Sequence, residues 1–136
     1  MAVDGDEDVT SECVRVLVVD DDPDVAESLA DLLHTRACIV EIAANGLEAV
    51  RRAQGQSFDL IFMDQRMPGM NGIDSCRAIR RLDPNVRIVM LMSYGDAELE
   101  GAFGRTISVL YKPMESEAVL NLIEGASAEA AVSVAA

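Results

Sequence analysis

The sequence predicts an α/β fold, in which a doubly wound parallel sheet of five strands is covered by helices on both faces. Short apolar runs rich in branched residues alternate with amphipathic segments along most of the 136 residues, which is the pattern of such a sheet. Half of the residues are apolar but only 4% are aromatic, so the core is aliphatic, as in buried parallel strands. Acidic residues and one lysine follow the ends of these runs, where such sheets bind ligands.

The first two strand and helix units lie before the middle of the chain. Residues 14–19 are an apolar run that stops at an acidic cluster, which predicts the first strand. Pro23 suits the first turn of a helix, which we expect to end near His34. Residues 38–43 predict the second strand, and Asn45 precedes the second helix. The first helix has large apolar residues at the spacing of one face: Val25, Leu29, Leu32 and Leu33.

The remaining elements alternate in the same way. The helix predicted at residues 94–104 is expected to be the least stable one, because each of its three glycines costs about 1 kcal/mol relative to alanine. We expect strands at 60–63, 86–92 and 107–111, and helices at 73–82, 94–104 and 115–123.

Charge and composition indicate the organisation of the chain and its compartment. The formal net charge of −13 argues against binding to nucleic acid, which depends on basic residues. We expect an acidic disordered arm at 1–13, one folded domain at 14–124 and an alanine-rich helix extension or tail at 125–136. The three cysteines are scattered and neither a signal peptide nor a membrane span is evident, which predicts a cytoplasmic protein without membrane partners.

Charged residues follow the predicted strand ends on one edge of the sheet. They are Asp20, Asp21, Asp64 and Lys112. Carboxylates that lie together raise one another's pKa, because like charges repel. A bound Mg²⁺ offsets that repulsion. Magnesium takes oxygen ligands and often combines one or two carboxylates with phosphate oxygens. Asp64 can then act as a nucleophile toward a phosphoryl group, whose charge Lys112 neutralises.

These sequence patterns occur together, in order, in a known family. The chain resembles the receiver domain of bacterial two-component response regulators over about residues 14–123. The resemblance implies a flavodoxin-like fold with strand order 2-1-3-4-5. It is carried by Val18-Val19-Asp20-Asp21-Asp22-Pro23, Phe58-Asp59-Leu60-Ile61-Phe62-Met63-Asp64, Met67-Pro68-Gly69-Met70-Asn71-Gly72, Leu82-Asp83-Pro84 and Lys112-Pro113.

The resemblance also implies roles for individual residues. Asp64 would be the phosphoacceptor, which receives a phosphoryl group from a sensor histidine kinase or a phosphotransfer protein. That transfer is self-catalysed, so the protein is not a turnover enzyme, and the signal passes by contact with a downstream protein. Lys112 would pair with the phosphoryl group, and its peptide bond to the following proline would be cis. The Mg²⁺ ligands would be Asp20, Asp21, Asp64 and the backbone carbonyl of Arg66.

Two positions depart from the family's usual switch. Family members carry Thr or Ser at the end of the fourth strand and an aromatic residue three positions before the lysine, where this sequence has Met92 and Val109. Met92 cannot donate a hydrogen bond to phosphate. We hypothesise that Ser93 binds the phosphoryl group instead, either through its hydroxyl or only through its backbone N–H. The alternative is a degenerate receiver that binds proteins independently of phosphorylation.

Two further interpretations concern the first strand and helix. Asp20 and Asp22 have the Asp-x-Asp spacing of aspartate-nucleophile phosphatases. The Thr or Val that follows this pattern in that family is not at the expected position, since Asp24 precedes Val25, and no cap domain fits in this length. Asp22 is equally well placed to be the N-cap before Pro23. The side of the first helix near Ala26 and Ala30 is expected to be exposed and to dock the kinase, by the resemblance.

Overall fold

A parallel sheet of five strands forms the centre of the molecule. The computed structural model describes residues 14–36, 39–93 and 107–124. The strands are β1 (Arg15–Val19), β2 (Ile39–Ala43), β3 (Leu60–Asp64), β4 (Arg87–Met92) and β5 (Ile107–Tyr111). They are ordered β2-β1-β3-β4-β5, which confirms the predicted fold and strand order. The helices are α1 (Pro23–His34), α2 (Gly46–Gly55), α3 (Gly72–Leu82) and α4 (residues 116–124).

The predicted elements agree with these bounds to within about a residue, a normal uncertainty for element ends. One difference matters for function, since β3 includes Asp64 as its last residue. The predicted helix at 94–104, the start of the second strand and both terminal segments lie outside the described residues. Within the described ranges, no helix is long and apolar enough to cross a membrane.

The two faces of the sheet carry separate apolar clusters. Side chains alternate between the faces along each strand; on β4, Met90 and Met92 belong to one cluster while Leu91 belongs to the other. The first cluster includes Ala49 of α2 and residues of α3, so we call it the α2–α3 face. The second includes buried residues of α1 and α4, and we call it the α1–α4 face. All five residues of β3 are buried between them.

The buried stripe of α1 differs from the prediction. Ala26 and Ala30 are only 0% and 6% exposed, so the expectation that this side of the helix is an exposed docking surface is wrong. With Leu29 and Leu33 they form an i, i+3, i+4, i+7 stripe against the sheet. The small alanines allow the helix to approach the strands. Its exposed side carries instead Asp24, Glu27 and Asp31.

Three helices begin at the edge of the sheet where the parallel strands end. Each has a short polar N-cap whose side chain accepts a hydrogen bond from the helix backbone. Asp22 accepts from the N–H of Asp24, Asn45 from that of Glu48 and Asn71 from that of Asp74. These caps fix α1, α2 and α3 close to the strand ends, and Asp22 has the N-cap role that was considered for it.

Candidate functional site

The ends of β1 and β3 bring the acidic residues together. The two strands are parallel neighbours with Val19 opposite Met63, so the residues that follow, Asp20 and Asp64, lie side by side. Carboxylate oxygens of Asp20, Asp21 and Asp64 lie within 4.8 Å of one another. Asp20 and Asp64 are only 2% and 6% exposed, whereas Asp21 is open to solvent. The predicted acidic residues therefore form one partly buried cluster.

Lys112 reaches this cluster from the end of β5. Its Nζ donates to Oδ2 of Asp20 at 3.1 Å and to Oδ1 of Asp64 at 3.3 Å. The backbone N–H of Lys112 donates to the carbonyl of Met92 at 2.7 Å, which extends the ladder between β4 and β5 and orients the lysine. The Lys112–Pro113 peptide bond is cis, as predicted.

Burial and charge repulsion make the cluster electrostatically unusual. The pKa of Asp64 is raised to about 6, because burial and the charge of Asp20 raise it by more than Lys112 lowers it. Burial alone would lower the pKa of Lys112, but the nearby Asp64 and Asp20 outweigh that effect and raise it. The cluster thus holds three carboxylates and one ammonium group, which bonds Asp20 and Asp64. Negative charge is left for a cation to balance.

The donor set at this edge fits a magnesium ion. All three carboxylates supply hard oxygen ligands, and the cluster contains no histidine or cysteine, which softer metals prefer. A divalent cation would also relieve the repulsion that raises the pKa of Asp64. Among the described residues, the cluster is consequently suited to Mg²⁺ on both ligand chemistry and charge.

Backbone contacts place Arg66 at the same site. A hydrogen bond from the backbone of Arg66 to the carboxylate of Asp64 lowers the pKa of that group. The arginine side chain is exposed, and the residue lines a shallow surface depression with Met67, Pro68 and Asn71. Its position beside Asp64 is compatible with the predicted carbonyl ligand.

Gln65 is a site residue that the sequence analysis missed. It is 7% exposed and its N–H donates to the carbonyl of Leu91 on β4 at 3.1 Å. Its own carbonyl accepts from the N–H of Gly72 at 3.1 Å, and its Oε1 accepts from the N–H of Ile73 at 3.0 Å. The only signal in the sequence was a polar residue directly after the buried strand that ends in Asp64.

Gly72 allows α3 to begin very close to the end of β3. A Cβ at this position would lie 2.5 Å from the carbonyl oxygen of Asp64 and 2.9 Å from Cα of Gln65. Real Cβ atoms do not approach backbone atoms so closely, so any other residue would push the helix away from β3. The glycine in the Asn71-Gly72 pair is therefore required by a close approach between backbones.

Met92 and Val109 lie on the α2–α3 face. Met92 is 1% exposed and belongs to that apolar cluster, against which Val109 and Tyr111 pack. Met92 is opposite Tyr111 in the sheet register, and its side chain has no hydrogen-bond donor.

Ser93 follows β4 and is exposed. Lys112 follows Tyr111, which is opposite Met92, so the lysine continues the register next to Ser93. The phosphoryl contact of Ser93 stays a prediction.

Comparison with solved structures gives the same fold. The chemotaxis protein CheY4 of Vibrio cholerae superposes with a TM-score of 0.73 and 31% identity, over 84% of this chain and 98% of that one. A response regulator receiver protein from Sinorhizobium medicae has a TM-score of 0.79 over 88% of this chain and 98% of its own, and at 21% identity it supports the fold alone.

Sequence relatives carry the same domain within longer proteins. A response regulator receiver protein of Anaeromyxobacter sp. is 37% identical over 110 residues, which are 79% of this chain and 46% of that protein. The DNA-binding response regulator MtrA of Mycolicibacterium smegmatis is 42% identical over 82 residues, 60% of this chain and 36% of that protein. The alignments span less than half the length of either relative.

A family model describes nearly the whole folded region. The model of the response regulator receiver domain matches residues 16–124, which include every strand and helix described above except Arg15, the first residue of β1. Receiver domains are signalling domains of two-component systems rather than conventional enzymes, are generally phosphorylated on an aspartate, and act with histidine kinases or phosphotransfer proteins. With this match, the sheet order and the relatives, the chain belongs to the response regulator receiver domain family.

Proposed function

We propose that this chain is an Mg²⁺-dependent phosphoacceptor domain and that Asp64 carries the phosphoryl group. The observation that supports this most directly is the contact of Lys112 with Asp64 and Asp20 at 3.3 Å and 3.1 Å. A single ammonium group thereby lies beside the candidate nucleophile and beside the carboxylates that can hold a metal. Charge neutralisation and positioning are the main requirements of phosphoryl transfer.

The metal would be held by Asp20, Asp21 and Asp64, together with the backbone carbonyl of Arg66. When bound, Mg²⁺ would supply positive charge that keeps Asp64 ionised and offsets the charge of the incoming phosphoryl oxygens. The proximity of the three carboxylates and the hydrogen bond between Arg66 and Asp64 favour this set of ligands.

Phosphoryl transfer from a phosphohistidine to Asp64 needs no further reactant. A carboxylate oxygen of Asp64 attacks phosphorus, a new O–P bond forms, and the N–P bond of the donor phosphohistidine breaks with its electron pair passing to the imidazole. Lys112 donates to the phosphoryl oxygens as they arrive next to Asp64. The product is an acyl phosphate on Asp64.

We assign the remaining phosphoryl contact to Ser93. Its backbone N–H and its hydroxyl are the candidate donors. Its position directly after β4 supports this assignment, since Lys112 follows the β5 residue that is opposite Met92. Met92 lies in the apolar cluster of the α2–α3 face and has no donor to offer. The switch positions Met92 and Val109 therefore take no part in binding the phosphoryl group in this proposal.

The donor would be a sensor histidine kinase or a phosphotransfer protein in the cytoplasm, and the signal would pass to a downstream protein by direct contact. The net charge of −13 disfavours direct binding of this domain to nucleic acid. The relative MtrA is named as a DNA-binding regulator, but the match covers 36% of that protein. The absence of nucleic-acid binding in this chain stays a prediction.

A second candidate function is a degenerate receiver that binds its partner independently of phosphorylation. The apolar residues Met92 and Val109 favour it, since Met92 is buried in the cluster of the α2–α3 face and Val109 packs against that cluster. These are the two positions where the family usually couples phosphorylation to the distant surface. The retained acidic cluster and Lys112 oppose it, because neither is needed by a simple binding module.

Incubation with acetyl phosphate and Mg²⁺, followed by intact mass measurement, tests the proposal. Wild-type protein should gain the mass of one phosphoryl group, and Asp64→Ala should gain none. Asp31→Ala, which changes an exposed acid on α1, is the matched control and should react like the wild type. Unmodified wild-type protein would favour the degenerate receiver, and modification of Asp64→Ala would assign the acceptor to another residue.

A further inference from the structure

We infer that Gln65 is a positioning residue for the metal site, an inference that rests on the proposed function. Gln65 lies between the proposed acceptor Asp64 and the proposed carbonyl ligand Arg66 in the chain. It is a polar residue that is only 7% exposed, and a buried amide is retained at a cost unless its hydrogen bonds are made.

The hydrogen bonds of Gln65 connect three elements of the fold. Its N–H donates to Leu91 on β4, and its carbonyl accepts from Gly72 at the start of α3. Its side chain reaches the same helix, with Oε1 accepting from Ile73 at 3.0 Å. The residue thus closes the base of the loop of residues 66–71 and ties that loop to both β4 and α3.

Gln65, and not the N-cap residue of α3, accepts hydrogen bonds from the first two N–H groups of this helix. The side chain of Asn71 accepts from the N–H of Asp74, whereas the N–H groups of Gly72 and Ile73 are satisfied by Gln65. The first turn of a helix has several N–H groups without partners inside the helix. Gln65 provides acceptors for two of them, and in doing so it fixes the helix start relative to Asp64.

The peptide that joins Gln65 to Arg66 links the hydrogen bonds of Gln65 to the metal site. The backbone of Arg66 hydrogen-bonds the carboxylate of Asp64, and its carbonyl is the proposed fourth protein ligand. That peptide contains both the Gln65 carbonyl, which accepts from Gly72, and the N–H of Arg66. A rotation of it would move the Arg66 N–H away from Asp64 and would also shift the Arg66 carbonyl, which lies in the next peptide. Residues that orient metal ligands in this way typically change metal affinity about 10- to 100-fold when they are replaced.

The test compares Gln65→Leu, Gln65→Glu and Gln56→Leu, with Mn²⁺ as the probe ion. Leucine keeps the apolar bulk but removes the acceptor for Ile73, whereas glutamate keeps that acceptor. Gln56 is the matched control, because it bonds Arg15 and Glu41 at part-buried positions outside the acidic cluster. Mn²⁺ binding is measured by electron paramagnetic resonance without phosphodonor, and amide hydrogen exchange of Ile73 is measured in metal-free protein.

We expect Gln65→Leu to bind Mn²⁺ about tenfold more weakly and to lose protection at the Ile73 amide. Gln65→Glu should keep that protection and bind Mn²⁺ at least as tightly as the wild type, and Gln56→Leu should bind it like the wild type. Equal affinity of wild type and Gln65→Leu overturns the inference, as does equal weakening in Gln56→Leu. Wild-type protein that binds no Mn²⁺ overturns the metal site of the proposed function, and this inference with it.

Discussion

Lys112 and Asp64, which are 48 residues apart in the chain, form a hydrogen-bonded ion pair with Nζ and Oδ1 3.3 Å apart. Parallel strands make such a contact possible, because residues that follow different strands meet at one edge of the sheet. The same ammonium group also bonds Asp20. One cation therefore links the ends of β1, β3 and β5.

Replacement of Lys112 by methionine should slow phosphorylation of Asp64. The change removes the ammonium that would stabilise charge on the phosphoryl oxygens, and loss of one such donor costs about 100-fold or more in rate. The rate of acetyl phosphate incorporation, followed by intact mass at saturating Mg²⁺, checks this. Lys112→Arg keeps a cation and should retain more activity than Lys112→Met. Equal rates in wild type and Lys112→Met would remove the lysine from the proposed chemistry.

Metal-free protein should lose stability as pH rises through the pKa of Asp64. Folding raises this pKa from 3.8 to about 6, so the folded state binds the proton more tightly than the unfolded state. Its stabilising contribution is complete below about pH 4 and is lost as pH rises through 6. At pH 7, Asp64→Asn should consequently be more stable than wild type by up to about 3 kcal/mol.

Urea denaturation from pH 4 to pH 8 in the presence of a chelator measures this difference. The advantage of Asp64→Asn should disappear near pH 4. Added Mg²⁺ should stabilise the wild type at pH 7 more than it stabilises the asparagine variant, since the ion offsets the repulsion between Asp20 and Asp64. A pH-independent difference between the two proteins would contradict the raised pKa.

Alanine at Gly72 should destabilise the protein by about 1 to 3 kcal/mol, because the added Cβ would overlap the backbone of Asp64 and Gln65. Gly55 provides the control, since a Cβ there meets nothing within 4 Å. It is the last residue of α2, where alanine should be neutral or stabilising by up to about 1 kcal/mol. Chemical denaturation of both variants measures the contrast, which would be refuted by similar unfolding free energies.

The double variant Met92→Thr with Val109→Tyr should gain a response in β5 that the wild type lacks. Threonine returns a hydroxyl to the end of β4, and tyrosine returns the usual aromatic to β5. With Mg²⁺ and beryllofluoride as the phosphoryl mimic, hydrogen exchange across Ile107–Tyr111 should change in the double variant and stay nearly constant in the wild type. A large change in the wild type would mean that Met92 does not interrupt the usual coupling.

Much of the fold and the acidic cluster follows from the sequence, for a simple reason. Buried parallel strands are continuous apolar runs, so the residues that end them, such as Asp20, Asp64 and Lys112, are recognisable as the sheet edge. Because those ends must converge in a parallel sheet, the proximity of the three residues was predictable. The distances between them still depend on register, which a single sequence does not specify.

Other features depended on contacts that no local pattern encodes. The prediction for α1 used large apolar residues such as Leu29 and Leu33, and so overlooked that Ala26 and Ala30 complete the buried stripe between them. Gln65 was missed because its importance comes from the N–H groups of a helix that begins several residues later. Side-chain acceptors for distant backbone donors leave almost no signal in sequence periodicity.

The common origin of α1, α2 and α3 at this edge, each with its own N-cap, has an electrostatic consequence. Each helix carries about half a positive charge at its N-terminus, from aligned peptide dipoles. The backbone therefore gives the acidic edge a background of positive potential that no side-chain substitution removes. An anion arriving at Asp64 would meet part of its countercharge in the fold itself, even in a variant without Lys112.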